Sequence, residues 1–166
     1  NLSEDERRNI GRVVGLGAVR YSDLMQNRTS DYIFSWNKML SLEANTAPYL
    51  LYAVARLYSI FRRAGVEASH SDGKIDSLKT EAEILLARKL IGFVAALEQT
   101  LADYRPHFLT NYLYELAGIF STFYKTNKVL DSHPEIRCRR LALCTMTLNT
   151  LETGLHLLGL ETLEQM

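Results

Sequence analysis

Proline and glycine are scarce in this chain, 3 and 9 among 166 residues. That scarcity argues against many short strands joined by turns and favours long helices. Net charge is missing too, with 19 basic and 19 acidic side chains. A protein that grips nucleic acid by bulk electrostatics is usually basic. Any RNA contact must therefore come from local placement of charge, and no DNA partner is expected. No run of about 18 apolar residues occurs, so no membrane span is expected. The opening Asn1-Leu-Ser-Glu-Asp-Glu-Arg-Arg8 lacks the apolar stretch of a signal peptide. Cytoplasmic placement is the expectation. A starting Met is also lacking, which reads as a fragment or a processed product. There are only two cysteines, Cys138 and Cys144. Six residues along a helix turn them about 600° apart, so they point to different faces and no disulfide is expected. Two thiols alone make no zinc site, and two buried, reduced thiols are the expectation.

What is present is a set of amphipathic stretches. Apolar residues make up 47% of the chain, enough for the core of one domain. Ser3-Glu-Asp-Glu6 has the hydroxyl and carboxylate of a capping box, predicting a short helix to about Asn9. Residues 11–26 predict a second helix, with Gly11, Gly15 and Gly17 permitting close packing. Asn27 to Asn37 reads as a loop in which Tyr32, Phe34 and Trp36 alternate as in a short extended segment. Asn45 is a possible cap, and Pro48 in a first turn precedes Leu50, Val54, Leu57 and Phe61 at helical spacing. Residues 65–73 read as a mobile loop. Leu78, Ala82, Leu86, Leu90, Phe93, Leu97 and Leu101 form one longer stripe. Pro106 opens a helix with Leu109, Leu113, Leu116, Phe120 and Phe123 inward. Pro134 opens the last, with Leu141, Cys144, Leu148, Leu151, Leu155 and Leu158 inward. Gly154 is a mild weakness in it, and Gly159 a C-terminal stop. Short connections favour antiparallel neighbours, so the predicted fold is an all-α antiparallel helical bundle.

Signals of catalysis are few. No phosphate-loop or dinucleotide fingerprint occurs. His70, His107, His133 and His156 do not pair at metal-ligand spacing; the first three read as surface histidines, and His156 can face either core or water. Glu81 and Glu83 face apart on a helix, so they form no carboxylate pair. No catalytic residue and no metal ligand is assigned. The exposed face of the helix around Leu50 is different. Tyr52, Arg56, Ser59 and Arg63 place a ring, a hydroxyl and two guanidinium groups together. Single-stranded RNA bases stack on such rings and guanidinium planes. A solvated helix face is the commoner origin of such a pattern, and Tyr124, flanking its apolar stripe, reads by spacing as a half-buried core tyrosine.

Two stretches resemble a known family. The first is Gly15-Leu-Gly-Ala-Val-Arg-Tyr-Ser-Asp-Leu24 with Asn27-Arg-Thr-Ser-Asp-Tyr-Ile-Phe34, Trp36-Asn-Lys-Met-Leu40 and Glu43-Ala-Asn-Thr-Ala-Pro-Tyr-Leu50. The second is Pro106-His-Phe-Leu-Thr-Asn-Tyr-Leu-Tyr-Glu-Leu-Ala117 with Phe120-Ser-Thr-Phe-Tyr124, Arg140-Leu-Ala-Leu-Cys144, Gly154-Leu-His-Leu-Leu-Gly-Leu160 and Glu164-Gln-Met166. Together they resemble the C-terminal part of arginyl-tRNA synthetases over nearly the whole chain. The loop at 65–73 is the least similar stretch.

The resemblance implies a class I synthetase anticodon-binding domain, with residues 1–42 as the junction to the catalytic domain and 43–166 as the anticodon-binding bundle. It implies arginine tRNA, through its anticodon stem-loop, and the catalytic domain of the same chain as partners. ATP and magnesium would serve that catalytic domain, and the bundle would need no cofactor. The H-I-G-H-like and K-M-S-K-S-like signatures of the catalytic domain are not in these residues, so this chain alone is expected to be inactive. Tyr124 matches a family anticodon contact, Met166 matches the terminal methionine, and Arg56 fits the Tyr-Ala-x-Ala-Arg-Leu pattern of the anticodon face. The expected RNA-binding set is therefore Tyr52, Arg56, Ser59, Tyr124 and Met166, with Arg137 as an off-site control. Here the tail reads Glu-Gln-Met, so Gln165 removes a positive charge common in the family. The alternative is a free-standing helical tRNA-binding or protein-interaction module without ligase activity.

Overall fold

A computed structural model describes residues 2–68, 77–130 and 133–166. Among them are seven helices: α1 (Glu4–Leu24), α2 (Trp36–Met39), α3 (Ala47–Ala64), α4 (Glu81–Ile91), α5 (Phe93–Asp103), α6 (His107–Thr126) and α7 (Pro134–Leu157). Part of the expected loop at 65–73, including His70, lies outside the described residues.

The capping box at Ser3 forms as expected, Glu6 N–H donating to Ser3 Oγ and Ser3 N–H to Glu6 Oε2. Yet the two short helices expected at the amino end are one helix of 21 residues. Gly11 and Gly15 weaken a helix without ending it, and a Cβ at either would meet nothing within 4 Å. Gly17 faces the bundle, where a Cβ would lie 3.5 Å from Leu160 and 3.6 Å from Ala47. Tyr21 is sealed below, its hydroxyl directed at both the Thr110 carbonyl and Asn45 Oδ1. Asn45 is thereby used in packing, and Thr46 is the cap of α3, accepting from Tyr49 N–H. The stretch around Tyr32 to Trp36 forms no strand. Phe34 and Trp36 meet edge to face at 4.9 Å, and Trp36 opens the one-turn α2.

The stripe from Leu78 to Leu101 does not form one helix. Leu78 precedes α4, and the helix breaks at Gly92. There the Lys89 carbonyl accepts from Gly92 N–H at 3.0 Å and from the Tyr112 hydroxyl at 2.7 Å. Leu86 and Leu90 are buried, but Leu101 on α5 is exposed. Pro106 and Pro134 open α6 and α7 as expected, and every predicted inward residue of these helices is buried except Leu158, half-buried just past α7. Cys144 is buried, with its thiol pKa pushed up to about 12 by desolvation, whereas Cys138 is exposed, contrary to the expected pair of buried thiols.

The core forms where α3, α4, α6 and α7 pack together, with α1 laid on α3 and α5 on α6. Arg137 at the start of α7 donates to the Ala64 carbonyl at the end of α3, and Glu152 further along accepts from Tyr58. These two helices are thus antiparallel. So are α6 and α7, because Gly154 near the end of α7 lies on Leu113 near the start of α6. Gly154 is not the tolerated weakness that the sequence suggested. A Cβ there would fall 2.5 Å from Leu113 Cδ2 and 3.1 Å from its Cγ. Gly154→Ala should therefore lower stability by about 1–3 kcal/mol, read by urea unfolding. The same change in a Leu113→Ala background should cost much less, and an equal cost in both backgrounds would refute the contact.

Candidate nucleic-acid interface

The apolar stripe of α3 turns Leu50, Val54, Leu57 and Phe61 into the core. Its other side then presents Tyr52, Ala55, Arg56, Ser59 and Arg62 along one line, at spacings of three and four. Arg56 Nη2 donates to the Tyr52 hydroxyl at 3.0 Å, and its guanidinium carbon lies 4.7 Å from the centre of that ring. The same carbon is 5.7 Å from the Tyr124 ring of α6. One cation thus stands between two aromatic faces, as its attraction to the ring quadrupole favours. The hydrogen bond and then the charge of Arg56 hold the Tyr52 phenol below its usual pKa.

The chain terminus comes to this face by a fastened route. Gly159, with φ of 73°, ends α7 in the left-handed conformation, and Leu160 N–H returns to the Leu155 carbonyl at 2.9 Å. Leu160 and Leu163 are buried. Glu161 pairs with Arg12, and Arg20 donates to the Gly159 carbonyl. Thr162 and Tyr58 both donate to Glu152 Oε1, at 3.0 and 2.9 Å. Arg62 Nη1 then donates to the Glu164 carbonyl at 3.1 Å. The result is a groove of about 360 Å³ lined by Tyr52, Ala55, Arg56, Ser59, Arg62, Gln165 and Met166. Tyr52 and Met166 are 44% and 41% exposed, so both side chains are open to a ligand.

Four of the five expected residues, Tyr52, Arg56, Ser59 and Met166, line that groove, and Tyr124 joins it through Arg56. Tyr124 is half-buried, its ring 6.2 Å from Phe120, so it is neither sealed in the core nor free of it. Arg63 does not line the groove; Arg62 does, and sequence reasoning missed it. The signal was the adjacent pair of arginines, of which only the packing of the tail selects one. Two guanidinium groups and no Asp or Glu side chain line the groove. A chain with no net charge therefore carries a locally cationic surface with rings on it. Arg137 is no neutral control, since its Nη2 caps the end of α3 through Ala64 at 2.8 Å. Exposed Arg88 on α4 replaces it.

Residues 50–166 match the family model described as the DALR anticodon binding domain. The chain belongs to that family of helical anticodon-binding domains. Its relatives are arginine–tRNA ligases: one from Marinomonas sp. (strain MWYL1) is 50% identical over 99% of this chain. Another, from Pseudoalteromonas translucida, is 48% identical over the whole chain. The chain spans 28% and 29% of their lengths. The solved arginyl-tRNA synthetase of Thermus thermophilus superposes over 100% of this chain and 28% of its own, with a TM-score of 0.90 and 32% identity. That of Plasmodium falciparum gives 0.86 and 30%, over 95% of this chain and 28% of its own. Residues 1–36 match a second model, tRNA synthetases class I (R), catalytic domain. The free-standing module is not favoured by these matches. Among the described residues no helix is long and apolar enough to cross a membrane.

Proposed function

We infer that this chain is the part of an arginine–tRNA ligase that holds the anticodon stem-loop of arginine tRNA. Arg56 set between the rings of Tyr52 and Tyr124, beside the terminal Met166, is the observation that carries the reading. Unstacked anticodon bases need aromatic faces and guanidinium planes, and these are the groups gathered there. Tyr124 and Tyr52 offer stacking rings, Arg56 a donor fork for a base edge or phosphate, and Ser59 a hydroxyl. Met166 offers a flexible apolar contact. Residues 1–42 are the junction to the catalytic domain of the same chain, and 43–166 the anticodon-binding domain. ATP and magnesium act in that catalytic domain, joining arginine to its tRNA in the cytoplasm.

Two measurements test this reading. With ATP, arginine and tRNA, the purified chain should give no charging above a no-protein control. It should bind an arginine-tRNA anticodon stem-loop weakly, and more weakly as salt rises, because the groove contributes only a few cationic contacts. A scrambled anticodon should reduce binding. Equal affinity for both stem-loops would overturn the anticodon role.

A further inference from the structure

The stretch from Asp31 to Ser35 forms neither helix nor turn. From Asp31 to Phe34 its backbone N–H and carbonyl groups make no hydrogen bond with the described residues. The stretch is nonetheless held in place. Ahead of it, Ser30 N–H donates to the Asn27 carbonyl at 2.8 Å. The Tyr32 hydroxyl donates to the Asp23 carboxylate of α1, and Phe34 rests edge to face on Trp36. Ser35 is extended, with φ of −152° and ψ of 113°, and its carbonyl accepts from Lys38 and Met39 in α2. A fixed backbone with open donors and acceptors is what a sheet edge offers to another strand.

The side chains here are those of a covered surface. Ile33 is 88% exposed, Trp36 55% and Phe34 50%. Asp23, which holds Tyr32, shares a flank of α1 with Leu16 and Val19, seven and four residues earlier, and both of these are exposed. Single exposed apolar side chains are ordinary, whereas a group of them on one face marks a contact surface. Tyr32 and Ile33 also line a cleft of about 430 Å³ with Met25 and Met39. The occupant is set by the family match: residues 1–36 match the catalytic domain model, so the match ends on this stretch. The chain spans only 28% and 29% of its ligase relatives, which leaves the rest of that domain outside these residues. Building on the ligase reading above, we propose that this face is where the rest of the catalytic domain docks. One of its strands pairs with the backbone of Asp31 to Phe34, and its packing covers Leu16, Val19, Ile33 and Trp36.

The test is amide hydrogen exchange in the full ligase that carries this chain. The amides of Asp31 to Phe34 should exchange about tenfold or more slower than those of an unstructured peptide of the same sequence. Ile33→Asp puts a charge into the covered face, far from the groove on α3. It should return exchange to the peptide rate and leave binding of the anticodon stem-loop unchanged, whereas Ile33→Val should keep the protection. Exchange at the peptide rate in the parent ligase, or protection that survives Ile33→Asp, would overturn the docking and leave the ligase reading standing. Protection that grows with protein concentration would give the face to a second copy and overturn it as well. A reading frame that encodes no catalytic domain ahead of Asn1 would overturn both the docking and the ligase reading.

Discussion

Glu83→Ala is expected to lower the folding free energy by about 3–5 kcal/mol, the usual result of removing one member of a buried ion pair. Against a typical total of about 5–15 kcal/mol, that is enough to leave a partly unfolded chain at 37 °C. The loss has three parts in this molecule. The α4 cap through Lys79 and Thr80 disappears, Arg140 loses its hydrogen bond to Glu83, and buried Arg139 loses the carboxylate that stands 3.7 Å from it. Urea unfolding of the variant beside the parent chain measures it, and a loss below about 1 kcal/mol would show that the cluster matters little. Acid should act in the same direction. Burial works to raise the Glu83 pKa, but the Arg140 hydrogen bond, the two backbone donors and the Arg139 charge outweigh it and hold it below 4.5. A carboxyl with its folded pKa below its unfolded one stabilises fully above the unfolded value. That contribution fades as pH falls through the folded value. The stability gap between parent and Glu83→Ala should therefore be full at pH 7 and narrow below about pH 4.

Tyr124→Ala should weaken anticodon stem-loop binding by roughly tenfold or more, given about 1–3 kcal/mol for one base stacked on an aromatic ring. The ring is half-buried against Phe120, so some loss of stability accompanies the change. Tyr124→Phe separates the two effects, because it keeps the stacking face and the core contact. It should bind within about twofold of the parent. Arg88→Ala is the off-site comparison and should leave binding unchanged apart from a small salt-dependent term. Measured by fluorescence anisotropy, an unaltered affinity in folded Tyr124→Ala would remove the ring from the anticodon site.

Periodicity made most of the bundle legible. The Leu50–Phe61, Leu109–Phe123 and Leu141–Leu155 stripes each became the buried face of one helix. Continuity was harder. The break expected between Asn9 and Gly11 is absent, since α1 runs unbroken through it, while Gly92 in an apparently continuous stripe marks a real break. The difference is tertiary: the Tyr112 hydroxyl takes the Lys89 carbonyl at the break, and no local pattern announces it. Within the groove, the chemistry of Tyr52, Arg56 and Ser59 could be read from helical spacing. The meeting of α3 with Tyr124 and the terminus could not, since the first depends on the packing of α6 against α3 and the second on the tail bending back after Gly159. Glu83 was legible in part. Thr80-x-x-Glu83 is a second capping-box pattern of the kind recognised at Ser3, and it forms. Its burial under Arg139 and Arg140 follows only from the packing of α4 on α7.

The way α1 is fixed has a mechanical consequence. Arg12, Gly17, Arg20 and Tyr21 tie it to the tail, to α3 and to α6 at four levels along its length. The match to the catalytic family model runs to residue 36, yet by packing this helix is one body with the anticodon-binding helices. A helix of 21 residues so anchored behaves as a rigid shaft of about 30 Å. Whatever is joined to its amino end turns with the bundle, and a hinge between the two can only lie before the first of those ties, on the amino side of Arg12. Torque applied where the tRNA docks would reach that end undiminished by bending in between.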